Sequence, residues 1–295
     1  MAEVAIQISR LKKYFGKTKA VDDISLEIRK GEVYGFLGPN GAGKTTTIRC
    51  LMDFLRPDAG KISVLGLDAK TDSVAIKERI GFLPSEMYLH GDWTGQEHTE
   101  FIQAVRGKKF NFKTLAEKFD LNLHVKAKHL STGNKQKLGI VLTLMTEPEL
   151  LVLDEPTRGL DPLLQNTFYK CLGEFKQKGA TVFMSSHILP EIERVCDRVA
   201  IIREGKIVGI EVVEEFKQSA LHLVTIRFEN PADRSTFSLP SAEKADELPD
   251  GLILKVKGDL DPLIKELAKY KIKDLELDHS SLEDLFLSFY KEKKS

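Results

Sequence analysis

Short apolar runs recur along the first two-thirds of the chain and predict buried strands. Val33–Leu37 reads VYGFL, Ile80–Leu83 reads IGFL, and Leu150–Glu155 reads LLVLDE, which is apolar until two carboxylates end it. Runs of this kind are typical of central strands in parallel sheets. Thr181–His187 (TVFMSSH) predicts a strand that ends in a polar turn, and Thr45–Leu55 has the pattern of a helix. Together these elements predict an α/β domain.

The pattern changes after the sequence EGKIVGIE, where the repeated apolar strands end. From there we predict a polar linking helix over Val212–Ala220, strands over 222–228 (HLVTIRF) and 251–258 (GLILKVKG), and helices over Leu260–Tyr270 and from Ser280 onward. The last helix has a capping box, in which Glu283 follows Ser280 by three residues. This alternation predicts a small α+β domain.

The length of the chain, 295 residues, allows one large domain and one small domain. We expect the large domain over residues 1–217, with a helical insertion at about 95–145, and the small domain over 218–295. Lys+Arg and Asp+Glu both number 44. A nucleic-acid partner is not expected, because nucleic-acid-binding surfaces carry a basic excess.

The cysteines and the apolar segments indicate a cellular compartment. Cys50, Cys171 and Cys196 are widely spaced and odd in number, which fits neither a disulfide framework nor a zinc site. The N-terminal sequence lacks the apolar core of a signal peptide. No apolar run approaches the roughly 18 residues of a membrane-spanning helix. We therefore expect a cytoplasmic chain that does not cross a membrane by itself.

The sequence GPNGAGKTT, between the first predicted strand and its helix, indicates a nucleoside triphosphate as ligand. Glycines let the backbone curl so that successive N–H groups point at anionic oxygens. Lys44 adds a charge that can reach the β- and γ-phosphates, and the hydroxyl of Thr45 is expected to ligate Mg²⁺. We predict that the whole loop binds the nucleotide through Gly38, Pro39, Asn40, Gly41, Ala42, Gly43, Lys44, Thr45 and Thr46.

Two carboxylates end the strand LLVLDE and complete the expected site. Acidic groups at the carboxyl end of a parallel strand open onto the ligand crevice. Asp154 is expected to hold Mg²⁺, and Glu155 is expected to be the base that polarises the attacking water. The alternative is a solvated acidic turn before Pro156.

Four further motifs accompany these two and identify a family. They are LSTGN at Leu130–Asn134 followed by a helical pattern, TRGLDP at Thr157–Pro162, the single histidine of Thr181–His187, and Tyr14–Gly16 ahead of a strand. In TRGLDP, Asp161 is expected to cap a helix whose first residue is Pro162. In this order and spacing, the chain resembles the ATP-binding cassette of ABC transporters, from about Ala5 to Gly209. The resemblance implies a phosphate-loop NTPase fold with a mixed or parallel sheet.

The resemblance also implies roles for residues outside the phosphate loop. His187 would hold the γ-phosphate and the attacking water, and Phe15 would stack on adenine, with Tyr14 as second choice. Asp161 would lie in the loop that faces a second cassette. The nucleotide of that second cassette would contact the LSTGN motif through Ser131, Gly133 and Asn134.

Two positions depart from the family pattern. The family usually has a glutamine after the strand that ends at Leu83, where this chain has Ser85 and Glu86. Serine is too short to bridge Mg²⁺ and water, so Glu86 or a backbone group is the candidate substitute. Asn134 replaces the commoner glutamine of the LSGGQ motif, and we expect its function to be retained.

The chain has one copy of each motif, so the resemblance implies a dimer with itself or with a sibling cassette. The segment Ser85–Trp93 would form a groove for a short helix of a membrane-spanning subunit; the alternative is a packed loop whose aromatic side chains belong to the core. His124 and His129 have no partner at metal-ligand spacing and are interpreted as structural.

These features favour the ATP-hydrolysing subunit of a membrane transporter, on the inner face of the membrane. The small C-terminal domain resembles the extension that follows many cassettes of drug and peptide exporters, which favours export. One alternative is a soluble ABC ATPase that acts on ribosomes or in DNA repair. Another is a nucleotide-gated regulatory module with little turnover, which the presence of Glu155 disfavours.

Overall fold

The structure is a computed structural model that describes residues 3–215, 221–239, 242–257 and 260–279. The chain divides into two compact units, Met1–Glu211 and Val212–Ser295. The helix predicted from Ser280 and the part of the predicted linking helix over 216–220 lie outside the described residues.

The first unit contains ten strands and seven α-helices among its described residues. The strands are β1 (Val4–Phe15), β2 (Thr18–Arg29), β3 (Val33–Leu37), β4 (Ala59–Val64), β5 (Leu67–Asp68), β6 (Ile80–Leu83), β7 (Leu150–Asp154), β8 (Thr181–Ser186), β9 (Arg198–Arg203) and β10 (Lys206–Val212). The helices are α1 (Lys44–Leu51), α2 (Ser73–Arg79), α3 (Gly95–Arg106), α4 (Lys113–Lys118), α5 (Thr132–Leu144), α6 (Pro162–Gln177) and α7 (Leu189–Val195). Val212 ends β10, and the described residues 213–215 that follow it are helical, so the predicted linking helix begins one residue later than predicted.

A six-stranded sheet in the order β10-β9-β3-β8-β7-β6 forms the centre of this unit. The pairs β3–β8, β3–β9, β7–β8 and β6–β7 are all parallel. Every residue of β3, β7 and β8 is buried, as expected for strands that are covered on both faces. The carboxyl ends of these three strands therefore lie side by side at one edge of the sheet.

A second sheet, in the order β2-β1-β4-β5, is antiparallel and packs against the same core. Along β2, Ile24, Leu26 and Ile28 are buried, and the residues between them are exposed. This period of two is the pattern of a strand with one face on the core and one face in solvent.

Helix α1 ends earlier than the sequence predicted, at Leu51 instead of Leu55. Asp53 adopts a left-handed conformation with φ of 55°. The N–H groups of Phe54 and Leu55 then both donate to the carbonyl of Arg49, at 2.9 and 3.1 Å. These bonds end the helix, because they satisfy a carbonyl of its last turn.

The helical insertion predicted at about 95–145 consists of α3, α4, a 3-10 turn at Ala127–His129 and α5. Thr94 and Glu97 form a capping box at the start of α3. Leu130, Leu138, Leu142 and Met145 form the buried centre of a separate apolar cluster, against which α3 and α4 contribute side chains.

The second unit is an α+β fold around one antiparallel sheet. Its elements are β11 (Leu221–Phe228), α8 (Asp233–Thr236), β12 (Ala242–Leu248), β13 (Gly251–Lys257), α9 (Asp261–Leu267) and β14 (Ile272–His279), and the sheet order is β12-β13-β11-β14. Alternate residues of β11 and β13 meet side chains of α9 in the core.

The sequence prediction for this second unit was incomplete. It missed β12 (AEKADEL) and β14 (IKDLELDH), because their charged residues obscure the alternation of apolar side chains. It also extended α9 too far, to Tyr270. The N–H groups of Lys269 and Tyr270 bond to carbonyls only three residues back, so the α-helix ends at Leu267.

Candidate active site

The phosphate loop connects β3 to α1 and is closely packed. Gly43 has φ of 112°, and a Cβ on it would approach the carbonyl oxygen of Ala20 to 2.3 Å. A Cβ on Gly38 would approach the carbonyl oxygen of Ile202 to 2.4 Å. Only glycine fits at these two positions, because backbone atoms cannot move aside as side-chain atoms can.

Lys44 lies at the first position of α1 with its side chain 5% exposed. Its ammonium donates to the carbonyl oxygens of Gly38 at 2.6 Å and Pro39 at 3.2 Å. The loop backbone and its lysine therefore form one hydrogen-bonded unit, in which the positive charge is held beside the N-terminus of a helix.

Asp154 ends β7, is 1% exposed, and accepts two hydroxyl hydrogen bonds. Its Oδ2 accepts from Thr45 Oγ1 at 2.8 Å, and its Oδ1 accepts from Ser185 Oγ at 2.6 Å. A hydroxyl and a carboxylate this close suit Mg²⁺, which proteins usually bind through one or two such oxygens together with phosphate oxygens and water. Among the described residues, no group of three or more His, Cys, Asp and Glu could hold a metal by itself.

Glu155 lies between a cation and an imidazole. Its Oε1 is 3.1 Å from Lys44 Nζ, an ion-pair contact without hydrogen-bond geometry. Its Oε2 is 2.6 Å from His187 Nδ1. Glu155 has a left-handed backbone with φ of 52°, and its N–H donates to Ser185 Oγ at 3.1 Å. The side chain is 13% exposed and that of His187 is 44% exposed, so the pair is open on one side.

We call Lys44, Thr45, Asp154, Glu155, Ser185 and His187 the catalytic edge. Five of these six residues were predicted to belong to the site, and the structure brings those five together. Ser185 was missed, because a serine in an apolar strand gives no motif. Two consecutive serines at the end of a strand beside LLVLDE were the available signal.

The LSTGN residues lie elsewhere in the unit. Ser131 is exposed and caps α5 by accepting a bond from the N–H of Asn134 at 3.3 Å. Gly133 packs against Gly159, whose carbonyl oxygen lies 2.8 Å from the position of a Cβ on Gly133. Within the described ranges, no hydrogen bond or ion pair joins the three LSTGN residues to the phosphate loop.

The two aromatic candidates for adenine stacking differ in their surroundings. Phe15 is 51% exposed at the end of β1, with Lys13 Nζ 5.6 Å from its ring centre. Tyr14 donates its hydroxyl to Asp22 at 2.6 Å, and this bond raises the pKa of Tyr14 to about 12. Phe15 is therefore the freer of the two rings.

The remaining predicted residues are at turns. Asp161 caps α6, as predicted, with its Oδ1 accepting from the N–H of Leu164 at 3.0 Å and with Pro162 following it. Ser85 is partly buried and Glu86 is exposed, in the loop after β6.

Beside that loop is a groove of about 500 Å³, which we call the aromatic groove; it is lined by Phe54, Phe82, Met87, Tyr88, Trp93 and Phe101, among others.

Known proteins of one family are similar in sequence to this chain. The family model for ABC transporters matches residues 21–158. The Nod factor export ATP-binding protein I of Burkholderia lata is 35% identical over 213 residues, covering 70% of each chain. This chain belongs to the ATP-binding proteins of ABC transporters. The predicted family, a family of ATPases, is confirmed.

Two further relatives show how much of each chain the similarity covers. YbhF of Escherichia coli, named as a probable multidrug ABC transporter ATP-binding protein, is 35% identical over 226 residues; the match covers 74% of this chain and 39% of YbhF. A solved ATP-binding subunit of an ABC transporter superposes with a TM-score of 0.68 at 28% identity, covering 72% of this chain and 92% of that one. The predicted fold class is thereby confirmed. No helix of the described residues is long and apolar enough to span a membrane.

Proposed function

We propose that this ABC ATP-binding protein hydrolyses ATP at the catalytic edge and drives export through a membrane-spanning subunit. The observation that carries the proposal is the position of Glu155, 3.1 Å from Lys44 Nζ and 2.6 Å from His187 Nδ1. A carboxylate flanked by a cation and an imidazole can accept a proton from water, while the two neighbours hold its orientation. A nucleotide-gated regulatory module would not need this arrangement.

Each residue of the catalytic edge has a role in this proposal. The loop N–H groups, Lys44 and the N-terminus of α1 bind the phosphates. Glu155 orients and deprotonates the attacking water, and His187 holds Glu155 and faces the γ-phosphate. Thr45 and Asp154 would hold Mg²⁺, which neutralises charge on the phosphate oxygens when it is bound. Phe15, the freer ring, stacks on adenine.

A second cassette completes the site in this proposal. Ser131 caps α5 and is exposed, and Leu163 in the first turn of α6 is 79% exposed. Neither position contributes to the phosphate loop of its own chain, which supports a head-to-tail pair in which LSTGN covers the nucleotide of the other cassette. The partner is a second copy or a sibling.

The aromatic groove is the proposed contact with the membrane-spanning subunit. Tyr88 is 91%, Phe54 56% and Phe101 51% exposed, whereas Trp93 packs on the rings of His90, His98 and Phe101. Exposed aromatic side chains around a concave surface favour a helix of a partner protein. Export is supported by the relatives named for Nod factor export and for multidrug transport. The chain would then lie on the inner face of the membrane.

The experiment that tests this proposal compares wild type with Glu155→Gln in the presence of Mg²⁺. We expect ATP turnover to fall by roughly 10²- to 10⁴-fold, because general base catalysis is lost. We expect the affinity for ATP to change by about twofold or less, because Gln keeps the size and hydrogen-bonding capacity of the side chain.

A matched control is Glu149→Gln. Glu149 directly precedes β7, at the end of the strand opposite to Glu155, and its carboxylate accepts hydrogen bonds from Arg79 at 2.9 and 2.7 Å. Its turnover should equal that of wild type. Wild-type protein without Mg²⁺-dependent hydrolysis, or an unchanged rate in Glu155→Gln, would overturn the proposal.

A further inference from the structure

A buried carboxylate outside the acidic pair joins two loops of the active site. Glu191 lies on α7 and is 5% exposed. Its Oε1 accepts a hydrogen bond from the hydroxyl of Thr157, and its Oε2 accepts one from Ser186 Oγ at 2.6 Å. Both donors are buried, with exposures of 4% and 0%. A buried carboxylate is stable only with such partners, so these three side chains form one unit.

The two donors flank the two proposed catalytic side chains. Thr157 follows Glu155 by two residues, in a turn closed by the bond from Arg158 N–H to the Glu155 carbonyl at 3.2 Å. Ser186 directly precedes His187. Its hydroxyl also accepts from the N–H of Ile188 at 2.9 Å, so it fixes the backbone on both sides of the histidine.

A third hydroxyl, that of Tyr169, lies near Glu191. Burial, together with the charge of Glu191 and a hydrogen bond to it, raises the pKa of Tyr169 on α6. The guanidinium of Arg194 lies over the same ring, 4.9 Å from its centre. Tyr169 on α6 therefore lies beside the same carboxylate that accepts hydrogen bonds from Thr157 and Ser186.

We propose that Glu191 is a positioning residue that holds Glu155 and His187 at the separation needed for hydrolysis. The inference rests on the proposed function. The contact it maintains is the 2.6 Å bond between Glu155 Oε2 and His187 Nδ1. Without Glu191, the turn at Thr157 and the loop at Ser186 lose their common acceptor and can separate. A displacement of about 1 Å at a reacting group can cost on the order of 10²-fold in rate.

The test measures kcat and the affinity for ATP separately. Glu191→Ala should lower kcat by about 100-fold and change the affinity by about twofold or less, because the phosphate loop does not contact Glu191. Glu191→Gln should remain within about fivefold of wild type, since its carbonyl can accept from Thr157 and its amide can donate to Ser186. Rescue by glutamine separates this role from a requirement for the charge.

A second variant keeps the inference testable if Glu191→Ala does not fold. Thr157→Val keeps the shape of the side chain and removes one donor, so we expect kcat to fall by roughly tenfold. Combined with Glu191→Gln, its effect should be less than the product of the two single effects, because both act through one link.

Each outcome has a defined meaning. Equal kcat in wild type, Glu191→Ala and Thr157→Val would overturn the inference, provided that wild type hydrolyses ATP and Glu155→Gln does not. A parallel loss of kcat and ATP affinity would also overturn it, since that result would mean a general structural role. Absence of hydrolysis in wild type would instead remove the proposed function.

Discussion

The catalytic edge and the aromatic groove belong to the same compact unit but have opposite chemistry. The edge consists of polar side chains that are mostly buried, with Asp154 1% and Lys44 5% exposed, and they bond to one another. The groove is lined largely by apolar side chains, several of which remain exposed, up to 91% for Tyr88. Single polar atoms therefore matter at the edge, whereas surface area matters in the groove.

This difference sets the expected size of a mutational effect. Removing one member of a buried polar set leaves its partners without hydrogen bonds, and such losses are large. Removing an exposed side chain changes the free protein little, because solvent already contacts it. Its contribution becomes measurable only when a partner covers it.

The largest effect on ATP affinity is expected for Lys44→Ala, at the catalytic edge. The substitution removes the cation beside Gly38, Pro39 and Glu155, and with it the charge that reaches the phosphates. A hydrogen bond to a charged group contributes about 1.5–3 kcal/mol, so ATP affinity should fall by roughly 10- to 100-fold. Isothermal titration calorimetry measures the affinity of each protein for ATP. Arg49→Ala, which changes an exposed side chain in the last turn of the same helix, is the control. Equal affinities in the two variants would contradict the assignment of the phosphate loop.

The smallest effect on the isolated chain is expected for Tyr88→Ala. Stability should change by about 0.5 kcal/mol or less, and ATP turnover should not change, because Tyr88 is almost fully exposed. The tagged chain can be purified from native membranes in mild detergent. Its recovery of a multi-spanning protein should fall several-fold, because Tyr88→Ala is expected to cost about 1–2 kcal/mol of binding free energy.

The control for that experiment is Val74→Ala on α2, which removes a side chain that is 75% exposed at a position outside the groove. Recovery should then equal that of wild type. If both variants recover the membrane protein equally, the groove is not the contact. Recovery of ribosomal particles by wild type would favour the soluble ABC ATPases instead.

Much of the catalytic edge could be predicted because its chemistry lies in short, local motifs. Lys44 and Thr45 have fixed positions in the phosphate loop, and the carboxylates of Asp154 and Glu155 directly follow an apolar strand. Chain order alone therefore indicates that they meet at one edge of a parallel sheet.

The supporting residues could not be predicted in this way. Ser185 and Glu191 act through contacts that span 31 and 34 residues along the chain, to Asp154 and Thr157 respectively. A serine in an apolar strand and a glutamate in a short helix each have a commoner explanation. Only the folded arrangement shows that both are buried beside hydrogen-bond partners.

Some helices and strands were predicted wrongly or missed for related physical reasons. The end of α1 depends on the left-handed conformation of Asp53, which the residue type alone does not predict. Strand β14 is stabilised by pairing with β11. Its own sequence has too many charges for period-two alternation to be recognised, so tertiary contacts decided the structure there.

The most direct test of the account is the number of cassettes held together by ATP. Tagged Glu155→Gln protein, purified from its native cells and incubated with ATP and Mg²⁺, can be examined by native mass spectrometry. The account predicts a complex of two cassettes, either two copies or one copy and a sibling, with two bound ATP molecules, and predicts its dissociation when Mg²⁺ is chelated. A single copy with one ATP, under conditions where ATP binding is saturated, would contradict it.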